Sequence, residues 1–320
     1  MSLTDLVNNA KDKTRFTTVK NYVDFCLKYL TFARNGLQAE IVSQNETNYR
    51  FFQYKADGGY RITRPLNANL MYSVDDSEAL GREFPSMLRS AREIEQGDPR
   101  REVFLRSIYT IQQTIGAALD ALPGEQSNTA RKVNGDLFER FISLLVNAVG
   151  VSCQAGVVQV PIVVDGNNEG FMSYQHDLII KNENELKIIG SVKTSSKDRI
   201  DKIFLDKFLY SKLTETSIPH IAIFLNDVQR KKGRLANQYG VNSTFLSGHF
   251  RAFTIKLNAL DGVYYCDLRP NMKTDAVLSR HIRTIDNFFF GDLWSFMGTH
   301  GLIVAKEEVV DGEIVEVVEP

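Results

Sequence analysis

Two short apolar segments separated by a polar turn form the clearest hydrophobic pattern in the chain. Residues 178–180 and 186–192 are rich in Ile and Val and have the length of strands, and residues 182–184 between them have the composition of a turn. This pattern predicts a β-hairpin. If the strands pair antiparallel about that turn, Asp177 before the first strand and Lys193 after the second lie at the same edge of the sheet.

Helical and strand-like patterns alternate along the rest of the chain. Apolar residues at helical spacing predict helices over residues 19–32, 86–95, 104–122, 134–149 and 200–213. Strand-like runs predict a hairpin over residues 49–62, with its turn at residues 57–59, and strands over residues 157–164, 218–226, 249–257 and 262–268. The chain is therefore expected to fold as an α/β protein whose residues 1–125 are mainly helical.

Composition narrows the class of protein. The 320 residues, of which 43% are hydrophobic, are enough to bury a sizeable core as one large domain or two smaller ones. The three cysteines are far apart in sequence, so neither a zinc site nor a disulfide framework is indicated. The sequence has no long apolar run, which favours a cytoplasmic protein without membrane contact. It also has no phosphate-binding glycine motif, so no nucleotide cofactor is expected.

The Asp177 and Lys193 pair suits phosphodiester hydrolysis. A carboxylate can anchor Mg²⁺, which polarises a phosphate, while a lysine orients or activates the attacking water. The alternative is a structural ion pair, which is the more common role of a carboxylate and an amine on neighbouring strands. His176 beside Asp177 is interpreted as structural or as a partner of the site.

Residues near this pair resemble the motifs of a known enzyme family. Ser191-Val192-Lys193 is followed 13 residues after the lysine by Asp206, the triplet Lys197-Asp198-Arg199 lies between them, and a Pro-His-led apolar strand follows at residues 218–226. This arrangement resembles the PD-(D/E)XK nucleases, and within them the type II restriction endonucleases of the CCGG and CCNGG specificity groups. The resemblance covers about 100 residues, from residue 136 to residue 234.

The resemblance implies a role for each of these residues. In that family a serine stands two residues before the catalytic lysine, and the missing carboxylate comes from the following helix; here Ser191 and Asp206 match these positions, although the family generally carries Glu at the second. Asp177 and Asp206, together with Glu139 on the helix predicted over residues 134–149, would hold Mg²⁺. Lys193 would position the water. Glu139 is equally compatible with an ordinary exposed helix residue.

The family reads the G and C bases of its site with an Arg-(Asp/Glu)-Arg motif, which Lys197, Asp198 and Arg199 match except for the lysine. The chemistry agrees, because Arg donates two hydrogen bonds to guanine and a carboxylate accepts from cytosine. Residues 187–234 hold 11 Lys or Arg against 5 Asp or Glu, and the basic loop that begins at Arg230 is expected to contact DNA phosphates. A solvated turn and a basic loop without a partner are the plainer alternatives.

The resemblance thus implies a restriction-endonuclease-like core, in which helices flank a mixed sheet of about five strands. We divide the chain into a mainly helical region at residues 1–125, with a role in DNA recognition or dimerisation, a nuclease core at residues 126–304, and an acidic tail at residues 305–320. The tail is either an added edge strand or a mobile end. The implied enzyme is an Mg²⁺-dependent homodimer that cuts duplex DNA at a palindrome containing CC/GG; whether dimers form tetramers is left open.

Two other functions fit the same residues. A structure-directed or repair nuclease of this fold would use residues 197–199 only for phosphate contacts and would cut without regard to sequence. A non-catalytic DNA-binding protein would bind DNA unchanged after Lys193→Ala and would never cleave it. The lysine at position 197 and the aspartate at position 206 keep both alternatives open.

Overall fold

A computed structural model of the chain describes residues 1–56, 59–197, 199–235, 237–298, 305–310 and 313–318, the last two ranges as backbone only. The strands are β1 (Ala39–Val42), β2 (Tyr49–Ala56), β3 (Gly59–Ile62), β4 (Leu66–Asn67), β5 (Ser152–Val164), β6 (Asn167–Asn182), β7 (Glu185–Ser195), β8 (His220–Asn226), β9 (Val228–Lys232), β10 (Tyr239–Ser243), β11 (Gly262–Tyr265), β12 (Ile282–Thr284), β13 (Ala305–Val310) and β14 (Glu313–Val318). The helices are α1 (Leu3–Lys11), α2 (Val19–Gly36), α3 (Phe84–Arg89), α4 (Arg100–Leu119), α5 (Ser127–Ala148), α6 (Ile200–Thr214), α7 (Ser247–Lys256), α8 (Pro270–Thr274), α9 (Leu278–His281), α10 (Ile285–Asn287) and α11 (Leu293–Gly298).

A mixed sheet forms the centre of the molecule. Its strand order in the described residues is β12-β11-β8-β7-β6-β5-β14-β13. β7, β8, β11 and β12 run parallel to one another, whereas β7-β6 and β6-β5 are antiparallel pairs. The predicted α/β fold with a mixed sheet flanked by helices is confirmed. Over the described residues the sheet has eight strands rather than about five. The sequence did not indicate β12, which is only three residues long, and left the tail that forms β13 and β14 undecided.

The hairpin predicted around the turn at residues 182–184 is confirmed. β6 and β7 pair antiparallel with Leu178 opposite Gly190, and β8 is buried along its whole length, as its continuous apolar run predicts. Gly190 is required for close packing at this point, because a Cβ there would lie 3.0 Å from Cγ1 of Ile221 and 3.2 Å from Leu178.

Three predicted helices are confirmed, as α2, α4 and α6, and three other predictions need correction. α5 begins at Ser127 rather than near residue 134, since Ala130 and Val133 extend its buried stripe by two turns. Residues 86–95 are divided between the end of α3 and a short 3₁₀ turn. Residues 249–257, predicted as a strand, lie largely in α7, where Phe250 is buried against Phe204.

The helical region and the sheet share one hydrophobic core. The same cluster contains Leu6 of α1, Ile115 of α4, Leu137 of α5 and Val192 of β7. The hairpin predicted at residues 49–62 is confirmed as β2 and β3, and residues 57 and 58 of its turn lie outside the described residues. The domain division at residue 125 stays a prediction.

In the tail, β14 pairs with β13 and runs parallel to β5, which agrees with the edge-strand alternative. Residues 299–304, 311, 312, 319 and 320 lie outside the described residues. Within the described part of the chain, no helix combines the length and the apolar composition needed to cross a membrane.

Candidate active site

Asp177 lies where the ordered pairing of the central strands ends. The β6-β7 ladder stops at Leu178 opposite Gly190, and the register of β6 against β5 shifts between His176 and Ile179, the interval that contains Asp177. The backbone N–H of Val192 is therefore not used by the β6-β7 ladder, and it donates to Oδ2 of Asp177 at 2.8 Å. The irregularity of the sheet thus fixes this carboxylate beside the end of β7.

Lys193 joins two carboxylates from different elements. Its Nζ lies 2.6 Å from Oδ2 of Asp177 and 2.8 Å from Oε1 of Glu139 on α5. The lysine and Glu139 side chains are each 30% exposed and that of Asp177 is 15% exposed. The structure therefore brings together three of the predicted site residues in a half-buried cluster that solvent can reach.

The cluster contains two carboxyl groups, those of Asp177 and Glu139, and one positive charge, that of Lys193. Burial and the neighbouring Asp177 raise the pKa of Glu139, despite its contact with Lys193. Burial would lower the pKa of Lys193, but the carboxylates of Asp177 and Glu139 outweigh it and raise the pKa above its usual value. Lys193 is consequently charged at neutral pH in this arrangement, so it can donate hydrogen bonds and stabilise negative charge.

Asp206 lies apart from this cluster. It projects from α6, pairs with Lys202 at 2.8 Å, and lines a small cleft together with Ser191 of β7. Its side chain is 16% exposed. The structure thus places Asp206 beside the serine that stands two residues before Lys193, without a hydrogen bond to Asp177 or Glu139.

The donor atoms of the cluster fit Mg²⁺. Lys193 contacts one oxygen of each carboxylate, which leaves Oδ1 of Asp177 and Oε2 of Glu139 for other partners. Mg²⁺ is a hard cation that proteins often hold through one or two carboxylates while it keeps several waters. Among the described residues, no three His, Cys, Asp or Glu side chains are grouped closely enough to hold an ion together. Asp177 and Glu139 are therefore the pair that suits the metal here.

Two buried histidines line the cleft of Asp206. His176 and His220 are 4% and 3% exposed, and their rings lie 6.2 Å apart. Burial lowers the pKa of His176 to about 3 and that of His220 to about 4. Nδ1 of His220 lies 2.8 Å from the carbonyl oxygen of Ile218. Both imidazoles are neutral packing groups beneath the site, which favours the structural interpretation of His176.

The predicted base-reading triplet follows β7 directly. Lys197 and Arg199 are exposed, and Arg199 is the residue before α6; Asp198 lies outside the described residues. The N–H of Lys197 donates to Oγ of Ser195 at 3.3 Å. Neither charged side chain forms a hydrogen bond or an ion pair with another described residue, so both are available to a ligand.

Arg230 has a structural contact. Its Nη1 donates to the carbonyl oxygens of Ile62 and Thr63, the latter at 3.2 Å, and its guanidinium lies 5.6 Å from the ring of Tyr239. These contacts attach β9 to the small N-terminal sheet, which β1, β2, β3 and β4 form. A DNA contact by Arg230 stays a prediction.

The sequence analysis did not predict a buried polar network that lies next to residues 197–199, at the end of β7. Oγ of Ser195 lies 3.2 Å from Oγ1 of Thr244, which donates to the carbonyl oxygen of Asp227 at 2.8 Å. Nε of Arg269 lies 3.6 Å from Oδ1 of Asp227. The sequence contains a feature that could have indicated this network. Asp227 and Asp267 each follow closely on an apolar strand, at the carboxyl ends of β8 and β11.

No protein-family model and no curated protein matches this sequence. Among solved structures, the chain is similar to the Type IIP restriction endonuclease Kpn2I, with a TM-score of 0.68 and 17% sequence identity over 94% of this chain and 99% of that one. It is also similar to the restriction endonuclease PspGI in its substrate DNA complex, with a TM-score of 0.40 and 14% identity over 70% of this chain and 91% of that one. The first likeness shows that the chain has the fold of a restriction endonuclease; the second is too weak to support an argument.

Proposed function

We propose that the protein is a type II restriction endonuclease that hydrolyses duplex DNA in the presence of Mg²⁺. The observation that carries the proposal is the cluster of Lys193 with Asp177 and Glu139, at the point where two central strands of this fold diverge. Two carboxylates around one half-buried lysine, with the pKa of Glu139 raised by burial and by Asp177, form a cluster of the kind found at catalytic sites, which supports the proposal.

In the proposed mechanism each residue has a separate task. Mg²⁺ bound by Asp177 and Glu139 would polarise the scissile phosphate and lower the pKa of bound water. Lys193, charged at neutral pH, would orient the attacking water and stabilise the charge that develops on the phosphate. Attack of the water oxygen on phosphorus would break the bond between phosphorus and the 3′ oxygen and leave a 5′-phosphate. One proton of the attacking water would pass to solvent, and a solvent proton would complete the 3′-hydroxyl. The role of Asp206 as a further metal ligand stays a prediction, because Asp206 lies in the neighbouring cleft with Ser191.

The proposed target is a short palindrome containing CC/GG. Arg199 and Lys197 can donate to guanine edges, and Asp198 can accept from cytosine N4. A two-fold homodimer would present this surface twice, once to each half of the palindrome. The exposure of Lys197 and Arg199 and their lack of partners among the described residues support this role.

The test is digestion of a fully sequenced plasmid with Mg²⁺, followed by sequencing of the fragment ends. Lys193→Ala is compared with wild type and with Lys28→Ala, which removes an exposed lysine from α2. We expect discrete fragments that share one palindrome, a loss of at least about 10²-fold in rate for Lys193→Ala, and an unchanged rate for Lys28→Ala.

The alternatives give different results. Fragments with random ends would favour a repair nuclease of this fold. Tight DNA binding without cleavage, unaffected by Lys193→Ala, would favour a non-catalytic DNA-binding protein.

A further inference from the structure

The two-stranded ribbon formed by β9 and β10 has no role in the cluster around Lys193. Its strands pair antiparallel, from Val228 opposite Ser243 to Lys232 opposite Tyr239. Successive residues of a strand face opposite sides, so the ribbon has two distinct faces. Their contacts differ sharply.

The inner face of the ribbon packs on the N-terminal sheet. Val228 and Val241 are buried together with Tyr49 and Phe51 of β2. Arg230 lies on this same face, because it alternates with Val228, and it donates to the carbonyl oxygens of Ile62 and Thr63. This face is therefore structural.

A side chain from the loop between β1 and β2 also fixes the edge of the ribbon. Nδ2 of Asn45 donates to the carbonyl oxygen of Val241 at 2.8 Å, and its Oδ1 accepts from the N–H of the same residue at 2.9 Å. A Cβ at Gly240 would lie 2.6 Å from this Oδ1, so glycine permits the contact. Residues 230–232, predicted as part of a basic loop, therefore lie in a strand whose partner is fixed by Asn45.

The outer face carries polar side chains without partners. Gln229 lies directly opposite Asn242, and Lys231 is on the same face. All three are exposed, and none has a side-chain hydrogen bond or ion pair to another described residue. Directly opposed residues have Cβ atoms about 5 Å apart, so the two amides can reach neighbouring groups of one ligand.

Both ends of the ribbon attach beside the predicted base-reading triplet. Ser195 of β7 pairs with Asn226, two residues before β9, and its Oγ contacts Thr244, the residue after β10. Lys197 follows Ser195 by two residues. A DNA duplex that contacts Lys197 and Arg199 would therefore pass close to the ribbon.

We propose that the outer face of this ribbon enters the major groove and reads an A·T base pair outside the CC/GG element, through Gln229 and Asn242. The inference rests on the proposed DNA-cleaving function and deepens it. A two-stranded ribbon fits the major groove, and the amides of Gln and Asn make paired hydrogen bonds with adenine N6 and N7. Lys231 adds a phosphate contact, which contributes affinity without sequence preference.

The experiment is selection of bound DNA from a fully randomised duplex library without Mg²⁺, followed by sequencing. Wild type is compared with Gln229→Ala, Asn242→Ala, the double variant and Gln96→Ala, which removes an exposed amide from a loop before α4. We expect wild type and Gln96→Ala to prefer A·T at one flanking position by about 10-fold or more. The ribbon variants should lose this preference while they still require CC/GG, which also shows that they are folded.

Lys231→Ala gives a second readout. It should weaken binding about equally for all selected sequences and reduce the slope of log affinity against log salt by about 1. The inference is overturned if wild type has no flanking preference, or if the ribbon variants keep it. If wild type enriches no sequence at all, the proposed restriction function fails instead.

Discussion

Replacement of Asp227 by asparagine tests the electrostatics of the network behind the triplet. This carboxyl is fully buried at the end of β8, and its Oδ2 accepts the hydroxyl of Ser243 at 2.8 Å. Burial nonetheless raises its pKa to about 6, because the hydrogen bond and the nearby Arg269 do not replace the lost solvation. The folded protein therefore holds a proton at Asp227 more tightly than the unfolded chain does.

The sign and the size of the effect follow from this difference. Between its ordinary value of 3.8 and about 6, the folded state binds the extra proton, so the free energy of unfolding falls as the pH rises through this range. The total loss is about 3 kcal/mol, since each tenfold change in proton affinity is about 1.4 kcal/mol. Asparagine cannot ionise, so the variant does not lose this stability as the pH rises. Its amide hydrogens lie near the positive charge of Arg269, and this lowers the free energy of unfolding by the same amount at every pH.

The assay is urea unfolding of wild type and Asp227→Asn at intervals from pH 4 to pH 8. Because pH 4 already lies slightly above the lower pKa, the stability of the variant relative to wild type should increase by about 2 kcal/mol between the two ends and level off above about pH 7. Asp24→Asn, on the exposed face of α2, controls for the loss of a surface charge. A difference between Asp227→Asn and wild type that stays constant with pH would refute the reasoning.

Two further substitutions test the site and its support. Glu139→Gln removes a charge that burial and Asp177 disfavour, so the free energy of unfolding, measured with urea at pH 8, should rise by about 0.5–2 kcal/mol. The rate of DNA cleavage should fall at least about 10²-fold. A lower free energy of unfolding would contradict this reasoning. Tyr49→Phe removes the hydroxyl that donates to Asp267 at 2.7 Å, and should destabilise the fold by about 1–3 kcal/mol in the same measurement. An unchanged urea midpoint would show that this hydrogen bond contributes nothing.

The part of the site that the sequence could predict is local. Asp177 and Lys193 flank a single hairpin, and a period-two pattern with a short turn determines which ends of its strands meet. Asp206 shows where this reasoning weakens. Its helix was predicted correctly, but the helical phase and the i,i+4 contact with Lys202 decide where the carboxylate points, and the sequence leaves both undetermined.

The ribbon and its support depend on contacts between distant parts of the chain. Asn45 binds Val241 across 196 residues, and Tyr49 binds Asp267 across 218. Hydrophobic periodicity carries no information about such pairs, so the N-terminal hairpin was predicted while its partner was not. The error at residues 249–257 has the same origin, because tertiary packing of Phe250 on Phe204, rather than the strand-like composition, determines that α7 is a helix.

One strand connects the proposed chemistry to the proposed recognition. Lys193 and Lys197 are four residues apart along and just beyond β7, so their backbones are separated by at most about 14 Å, which is about four base-pair steps of DNA. Ser195 between them is held by Asn226 and Thr244, at the two ends of the ribbon. Because only four residues separate Lys193 from Lys197, the proposed reading residues and the proposed cutting residue would contact the same short stretch of duplex. A nuclease built this way cuts within or beside the bases it reads, and the ribbon can extend the sequence that it reads without moving the cut.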